Sequence, residues 1–283
     1  MTILQQKIDF KVILTATNAN PNGDPLNGNR PRQNFEGYGE ISDVSLKRKI
    51  RNRLQDMDER IFVQSNDRVD DGCKSLKERA DNVAELAEIE KSKTKDADLY
   101  AYKAAETWID VRSFGQVFAF KGSELSVGVR GPVSIRMAVS EHPITVNSMQ
   151  ITKSVNSVTS DKKGSDTMGM KHSVDFGLYT FSGSINIQLA EKTGFTEADA
   201  EKIKNALVTL FENDSSSARP EGTMEVKNVY WWKHPSKLGK YSAAKVHRSV
   251  QVEALTDNPR KFEDFKITVT PLKDIDLDVI DGI

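Results

Sequence analysis

Asp24 is the residue whose type and setting come nearest to a catalytic group. It lies in Asn20-Pro-Asn-Gly-Asp-Pro25, a turn-rich stretch where a lone carboxylate could hold a Mg²⁺ ion for RNA cleavage. Asn-Gly-Asp-Pro is also the composition of an ordinary turn. The four histidines, His142, His172, His234 and His247, are scattered, and no pair has the spacing of metal ligands. Cys73 is the only cysteine, so no internal disulfide framework or multi-cysteine zinc site is expected, which fits a reducing compartment. Neither a Gly-rich loop ending in Gly-Lys nor a nucleophile elbow occurs. The residue types thus argue against zinc chemistry, nucleotide hydrolysis and serine catalysis. The sequence assigns no catalytic residue, no metal ligand and no cofactor.

Other residues suit binding to RNA. Asn18 to Gly39 is rich in Asn, Pro and Gly, and Lys47, Arg48, Lys49, Arg51 and Arg53 crowd the segment after it. Amides, hydroxyls and cations placed together can meet phosphate oxygens from several directions and give affinity that ignores base sequence. Met168-Gly-Met170 is expected at the tip of a polar flap, where an apolar pair could wedge between bases or tuck onto the body. Trp231 and Trp232 are adjacent in a strand candidate and therefore face opposite sides. One is expected in the core, and the other in packing or an interface. The competing classes are a metal-dependent ribonuclease using Asp24 and a protein-only scaffold.

The elements that must position these residues are legible from their periodicity. Ile8 to Thr17 reads as a buried strand. Asn18 to Gly39 is expected to lack regular structure. A helix should begin at Ser42 or Asp43, with Leu46, Ile50, Leu54, Met57 and Ile61 as its apolar stripe and the basic residues on a ridge beside it. Lys47 and Arg51 lie off that stripe, so their removal should leave folding intact. Val69 to Lys103 reads as a helical insertion without a strong core. Val117 to Phe120 is expected to return to the main core. Leu125 to Val139 and Leu178 to Leu189 alternate like strands. A β-hairpin flap with a Gly-rich tip is expected between Glu141 and Val174. Thr196-Glu-Ala-Asp199 is a capping box opening a helix, and Met224 to Trp232 and Phe265 to Thr270 are strand candidates. Without the insertions, the order is strand, helix, strand, strand, helix, strand, an α+β plan of the ferredoxin-like βαββαβ or RNA-recognition-motif kind.

The 283 residues are 37% hydrophobic and 29% charged, with a net charge of −1. Near-neutral charge is unusual for an RNA binder, but its distribution is uneven. Basic residues recur from Lys227 to Arg248, and Asp274 to Asp281 carries acids alone. Such a chain can bind phosphate on one face and protein on another. No stretch reaches the length of a membrane span, and Met1 to Phe10 lacks the pattern of a secretory signal. The expected location is the cytoplasm, with no membrane partner.

Five blocks in order resemble the backbone subunit of the type I-C CRISPR Cascade complex. They are Asn20-Pro-Asn-Gly-Asp-Pro25 with Asn29-Arg-Pro-Arg32, Ser42-Asp-Val-Ser-Leu-Lys-Arg48, Asp110-Val-Arg-Ser-Phe-Gly115, Arg130-Gly-Pro-Val-Ser134, and Met170-Lys-His-Ser-Val-Asp-Phe-Gly-Leu-Tyr179. The resemblance implies one hand-like domain over 1–283. Its modified RNA-recognition-motif palm would occupy about 1–60, 108–140 and 175–283, its helical fingers insertion about 61–107, and its β-hairpin thumb about 141–174. It implies copies stacked helically along a crRNA, each thumb folding over the neighbour's RNA and displacing nucleotides at intervals. The implied RNA-binding residues are Asn18, Asn20, Ser45, Lys47, Arg48 and Arg51, with Met168 or Met170 as wedge and Lys171 and His172 nearby. Implied partners are the crRNA, target DNA paired to it, further copies, and the endoribonuclease subunit that holds the 5′ handle together with the large and small subunits. The resemblance implies no enzymatic activity, although related type III subunits cleave RNA with a loop aspartate comparable in place to Asp24.

Overall fold

β-Branched and aromatic residues make Ile8–Ala19 (β1) a central strand buried on both faces, with Phe10, Val12 and Leu14 in one core and Ile13 in another. The molecule is a computed structural model describing residues 2–153, 155 and 168–283. After β1, the short strands Gly23–Asp24 (β2) and Arg30–Pro31 (β3) pair as a hairpin, and Tyr38–Ile41 (β4) follows. The expectation of no regular structure over Asn18 to Gly39 is therefore corrected. Gly28 and Asn29 both adopt left-handed backbone, at φ 58° and 59°, and Asn29 N–H donates to the Asp24 carbonyl at 2.8 Å. Ser42 caps Asp43–Asp56 (α1) by accepting from Ser45 N–H at 3.2 Å. Leu46, Ile50 and Leu54 form the buried stripe of α1, and Ile61 reaches the same core from beyond the helix end.

The stretch read as a weakly cored insertion has a core of its own. Leu76–Asp81 (α2), Ala84–Lys91 (α3), Ala97–Thr107 (α4) and Ile109–Phe114 (α5) pack with the hairpin of Gly115–Ala119 (β5) and Ser126–Arg130 (β6). Phe62, Tyr100, Trp108 and Phe118 meet there, with Phe62 and Trp108 ring centroids 4.6 Å apart. Phe118 thus belongs to this second core rather than to the main one. The small residues Ala80, Ala104 and Ala105 let the aromatics close around them. Arg112 joins this unit to the rest through a two-pronged ion pair with Asp199, at 2.8 and 3.0 Å.

The expected single strand over Leu125 to Val139 is split into β6, Val133–Ile135 (β7) and Ala138–Pro143 (β8). Gly131 and Pro132 explain the first break. A Cβ on Gly131 would sit 2.3 Å from the Ser113 carbonyl oxygen, and Pro132 has no N–H for a ladder. Val146–Thr152 (β9) then pairs with the outer part of Met168–Ile185 (β10), forming the expected flap. The tip expected to join them falls at residues 154 and 156–167, outside the described residues. Met168 and Met170 are not at a tip but within β10, opposite Thr152 and Gln150. The strand ends at Ile185, short of the expected Leu189, because Asn186 caps Ile187–Thr193 (α6).

Thr196 and Asp199 form the predicted capping box at the start of Glu197–Val208 (α7). Met224–Lys233 (β11), Ala243–His247 (α8), Val250–Ala254 (β12), Phe265–Val269 (β13) and Asp276–Asp281 (β14) complete the described chain. The main sheet is antiparallel, in the order β14-β11-β1-β10-β8-β4, with β7 and β9 also on β10. Helices α1 and α7 pack on one of its faces, and α8 with the β12–β13 hairpin covers the other. Trp231 lies in the first of these cores and Trp232 in the second, so both are packing residues. Among the described residues, no helix is long and apolar enough to cross a membrane.

Candidate nucleic-acid interface

The loop after β1 is held by side-chain amides. Asn18 is exposed and left-handed at φ 52°. Asn20 is buried, with its backbone N–H donating to Ala218 O at 2.9 Å and Nδ2 to Asn29 O at 2.7 Å. Asn22 Oδ1 accepts from Ser42 N–H at 2.9 Å, which ties the loop to the cap of α1. The expected junction of amide-rich loop and basic helix start is thus physically made. Asp24 is held locally: Oδ1 accepts from Leu26 N–H at 3.2 Å and faces Arg32 at 3.4 Å. Those contacts give it the work of a turn cap. Among the described residues, no group of three or more His, Cys, Asp or Glu side chains converges as a metal site.

This loop meets the base of the flap. Arg30 Nη1 donates to Ser148 Oγ on β9 at 2.7 Å, and His172 Nδ1 on β10 shares a 2.9 Å hydrogen bond with the same hydroxyl. A groove of about 460 Å³ opens beside the junction, between Asn20, Gly28 and Asn29 on one side and Met170, Lys171 and His172 on the other. Met168 and Met170 are 63% and 54% exposed, and alternation puts them on one face with His172. Lys171 points to the opposite face, with Met149 and Ile151. Among the described residues Lys171 has no ion-pair partner. Asn20 and the consecutive Met170, Lys171 and His172, far apart in sequence, therefore line one groove.

The helix start is organised differently. Ser45 gives its amide to the Ser42 cap, and Lys47 pairs with Asp43 at 3.1 Å. Arg48 donates to the Val63 carbonyl at 2.6 Å, and burial, then the nearby Arg51, pull its guanidinium below its usual range. Arg51 Nε donates at 2.9 Å to the fully buried Asp110, and its guanidinium stands 5.1 Å from the Phe114 ring centre. Asp110 also accepts from the amides of Phe62 and Val63, at 2.8 and 3.1 Å. Lys49 is buried against Asp214, and burial brings its ammonium down to about 8. Arg51 therefore neutralises a buried carboxylate that ties α1 and α5 to the bend at Phe62 and Val63, a contact that its place off the apolar stripe gave no sign of. Sequence reading missed Arg30 and Ser148 as the link between loop and flap. Arg30 lay inside a quoted block, but its partner is 118 positions away.

Known proteins share this architecture. The family model for "CRISPR-associated protein Cas7" matches residues 6–270. The curated CRISPR-associated protein Cas7 of Haloferax volcanii is 26% identical over 235 residues, covering 77% of this chain and 67% of its own length. A chain of a solved "CRISPR RNA-guided surveillance complex, pre-nicking" aligns at a TM-score of 0.50 and 19% identity, covering 80% of this chain and 75% of that one. At that identity the likeness is one of fold.

Proposed function

Because the chain belongs to the CRISPR-associated Cas7 family, we propose that it is a non-catalytic backbone subunit that multimerises along a crRNA and presents it for pairing with target DNA in antiviral defence. The five sequence blocks favour the type I-C branch of Cascade, with the handle-binding endoribonuclease, large and small subunits as further partners. The observation that carries the reading is the groove between the β1–β2 loop and the flap. It brings the amides of Asn20 and Asn29 beside His172 and the exposed Met170, with the cation of Lys171 on the other face of the same strand. Single-stranded RNA rewards that combination, because phosphates take the amides and cations while bases meet apolar side chains.

The fold supports the hand-like reading. The strands β1, β8, β10 and β11 with helices α1 and α7 follow a βαββαβ order, which we read as a modified RNA-recognition-motif palm. The second core serves as fingers, and its β5–β6 hairpin extends that unit past residue 107. The β9–β10 flap serves as thumb, with Met168 or Met170 as its wedge. In this reading Asn18, Asn20, Ser45, Lys47 and Arg48 hold the RNA backbone with Lys171 and His172, and Arg51 keeps α1 in place beneath them.

The test is purification followed by the absorbance ratio and nuclease sensitivity of whatever nucleic acid travels with the protein. Bound RNA and assembly on added single-stranded RNA are expected, with affinity falling steeply as salt rises. A protein that stays monomeric and without RNA affinity in moderate salt refutes the reading. Labelled target RNA in the assembled complex with Mg²⁺ should remain intact, and cleavage that disappears in Asp24→Ala would transfer the protein to the ribonuclease class.

A further inference from the structure

Phe35 stands wholly in solvent at the turn between β3 and β4. Single exposed apolar residues are ordinary on protein surfaces. This one is presented by an unusually well-tied turn. Asn34 Oδ1 accepts from the amides of Glu36 and Tyr38 at 3.0 and 2.9 Å, and Gly37, at φ 84°, donates to the Asn34 carbonyl at 3.1 Å. Gln33 Nε2 and Ile144 N–H both donate to the Gly37 carbonyl, which fastens the turn to the foot of the flap. The ring is therefore held out with little backbone freedom left to lose on contact. Beside it, Glu36 is exposed and has no ion-pair partner among the described residues.

A complementary hollow lies elsewhere on the same chain. A groove of about 740 Å³ runs between β8, β10 and the α8–β12 segment. Met137, Val139 and Val252 give it apolar lining, and Arg136 and Arg248 stand exposed along it with no ion-pair partner among the described residues. Met137 is 43% exposed. Glu141 and Glu253 line the same groove, so its charge is mixed, which suits a protein segment better than a phosphate chain.

We propose that Phe35 of one copy inserts into this groove on the next copy, with Glu36 set against Arg136 and Arg248. The inference rests on the reading that copies stack along RNA, and names the surfaces through which they touch. The turn and the groove are different patches, so the contact is head-to-tail and repeats without closing on itself, as a filament requires. A rigid aromatic in an apolar pocket with a charged rim is the usual form of an energetic anchor.

The experiment compares full-length chains on two single-stranded RNAs, one long enough for several copies and one for a single copy, with particle mass measured by light scattering. Phe35→Ser removes nothing from the folded monomer. It should bind the short RNA within about twofold of the parent, yet need roughly tenfold more protein to build multimers on the long one. Glu36→Arg and Arg136→Glu should each weaken assembly, and the two together on one chain should recover it. A chain with Phe35→Cys and Met137→Cys, oxidised without RNA, should form a ladder of linked multimers that neither single substitution gives. Assembly by Phe35→Ser equal to the parent overturns the proposal, as does a double charge reversal no better than the singles. Weakened binding of Phe35→Ser to the short RNA also overturns it, by placing the ring on RNA instead. If the parent binds neither RNA, the functional reading falls, while the cysteine ladder still decides the contact between copies.

Discussion

The basic start of α1 and the flap carry the same kind of residue in opposite conditions. On α1, Lys47, Arg48, Lys49, Arg51 and Arg53 all have partners within the chain, from Asp43 and the Val63 carbonyl to Asp214, Asp110 and Thr209. On the flap, Met149, Ile151, Met168 and Met170 are exposed, and Lys171 has no ion-pair partner among the described residues. A crowd of cations in sequence is thus as much a set of internal struts as a binding surface. The flap has the reverse character: one half of β10 is buried between β1 and its neighbours, and the other half pairs with β9 and borders the loop after β1 across the groove. The inner half fixes the position of the outer half, whose side chains stay available for contact. This is how a binding surface is usually built on a rigid scaffold.

The largest effect that should separate the two regions is on folding. Arg51→Ala leaves the Asp110 carboxylate fully buried beside two backbone amides but without its counter-ion. The expected loss is about 3 kcal/mol, read from urea unfolding of the full chain, because an uncompensated buried charge costs roughly 3–5 kcal/mol. A loss below about 1 kcal/mol would return Arg51 to the surface ridge that its spacing suggested.

Much of the fold was legible because it is local. The β-branched apolar run of β1, the Ser42 cap, the Leu46–Ile50–Leu54 stripe and the Thr196–Asp199 capping box are each written within about a dozen residues of chain or fewer. The second core was not legible as a core, since Phe62 and Phe118 come from outside the helix that carries Tyr100 and Ala104 and ends at Trp108, and the alanines between them give little hydrophobic signal. The Arg51–Asp110 strut spans 59 positions and the Arg30–Ser148 link 118, so neither leaves a pattern in the chain. The methionines of the flap were recognisable by type, because apolar residues are out of place in a polar stretch. Their position in the strand depended on a pairing register that sequence alone leaves loose when both faces are polar.

A middle-sized effect should come from the flap and leave stability alone. Met168→Ala with Met170→Ala removes exposed side chains, so unfolding free energy should stay within about 0.5 kcal/mol of the parent. If the pair wedges between bases, phosphate-driven affinity should largely persist. The regular spacing of displaced nucleotides should blur, as seen by chemical probing of the guide in the assembled complex. Unchanged periodicity and sharpness would acquit both methionines and leave the opposite face, with Met149 and Ile151, as the displacing surface.

The smallest effect tests whether the two regions share one RNA. Lys47 pairs with Asp43 one turn away on the same helix, a half-exposed contact worth about 0.3–0.5 kcal/mol at most. Lys47→Ala should therefore barely move the unfolding midpoint, unlike Arg51→Ala four positions further along. Its effect belongs in the salt dependence of RNA binding. Losing one phosphate contact should make the slope of log affinity against log salt shallower by about one, and Lys171→Ala should do the same from the flap. Asn22 joins the loop to the cap of α1, and Arg30 joins that loop to the flap, so one RNA strand could reach both cations. Equal changes in the two variants, adding in the double variant, would place both on the RNA path. A change with Lys171→Ala and none with Lys47→Ala would make the whole basic segment of α1 a support, and confine recognition to the loop and the flap.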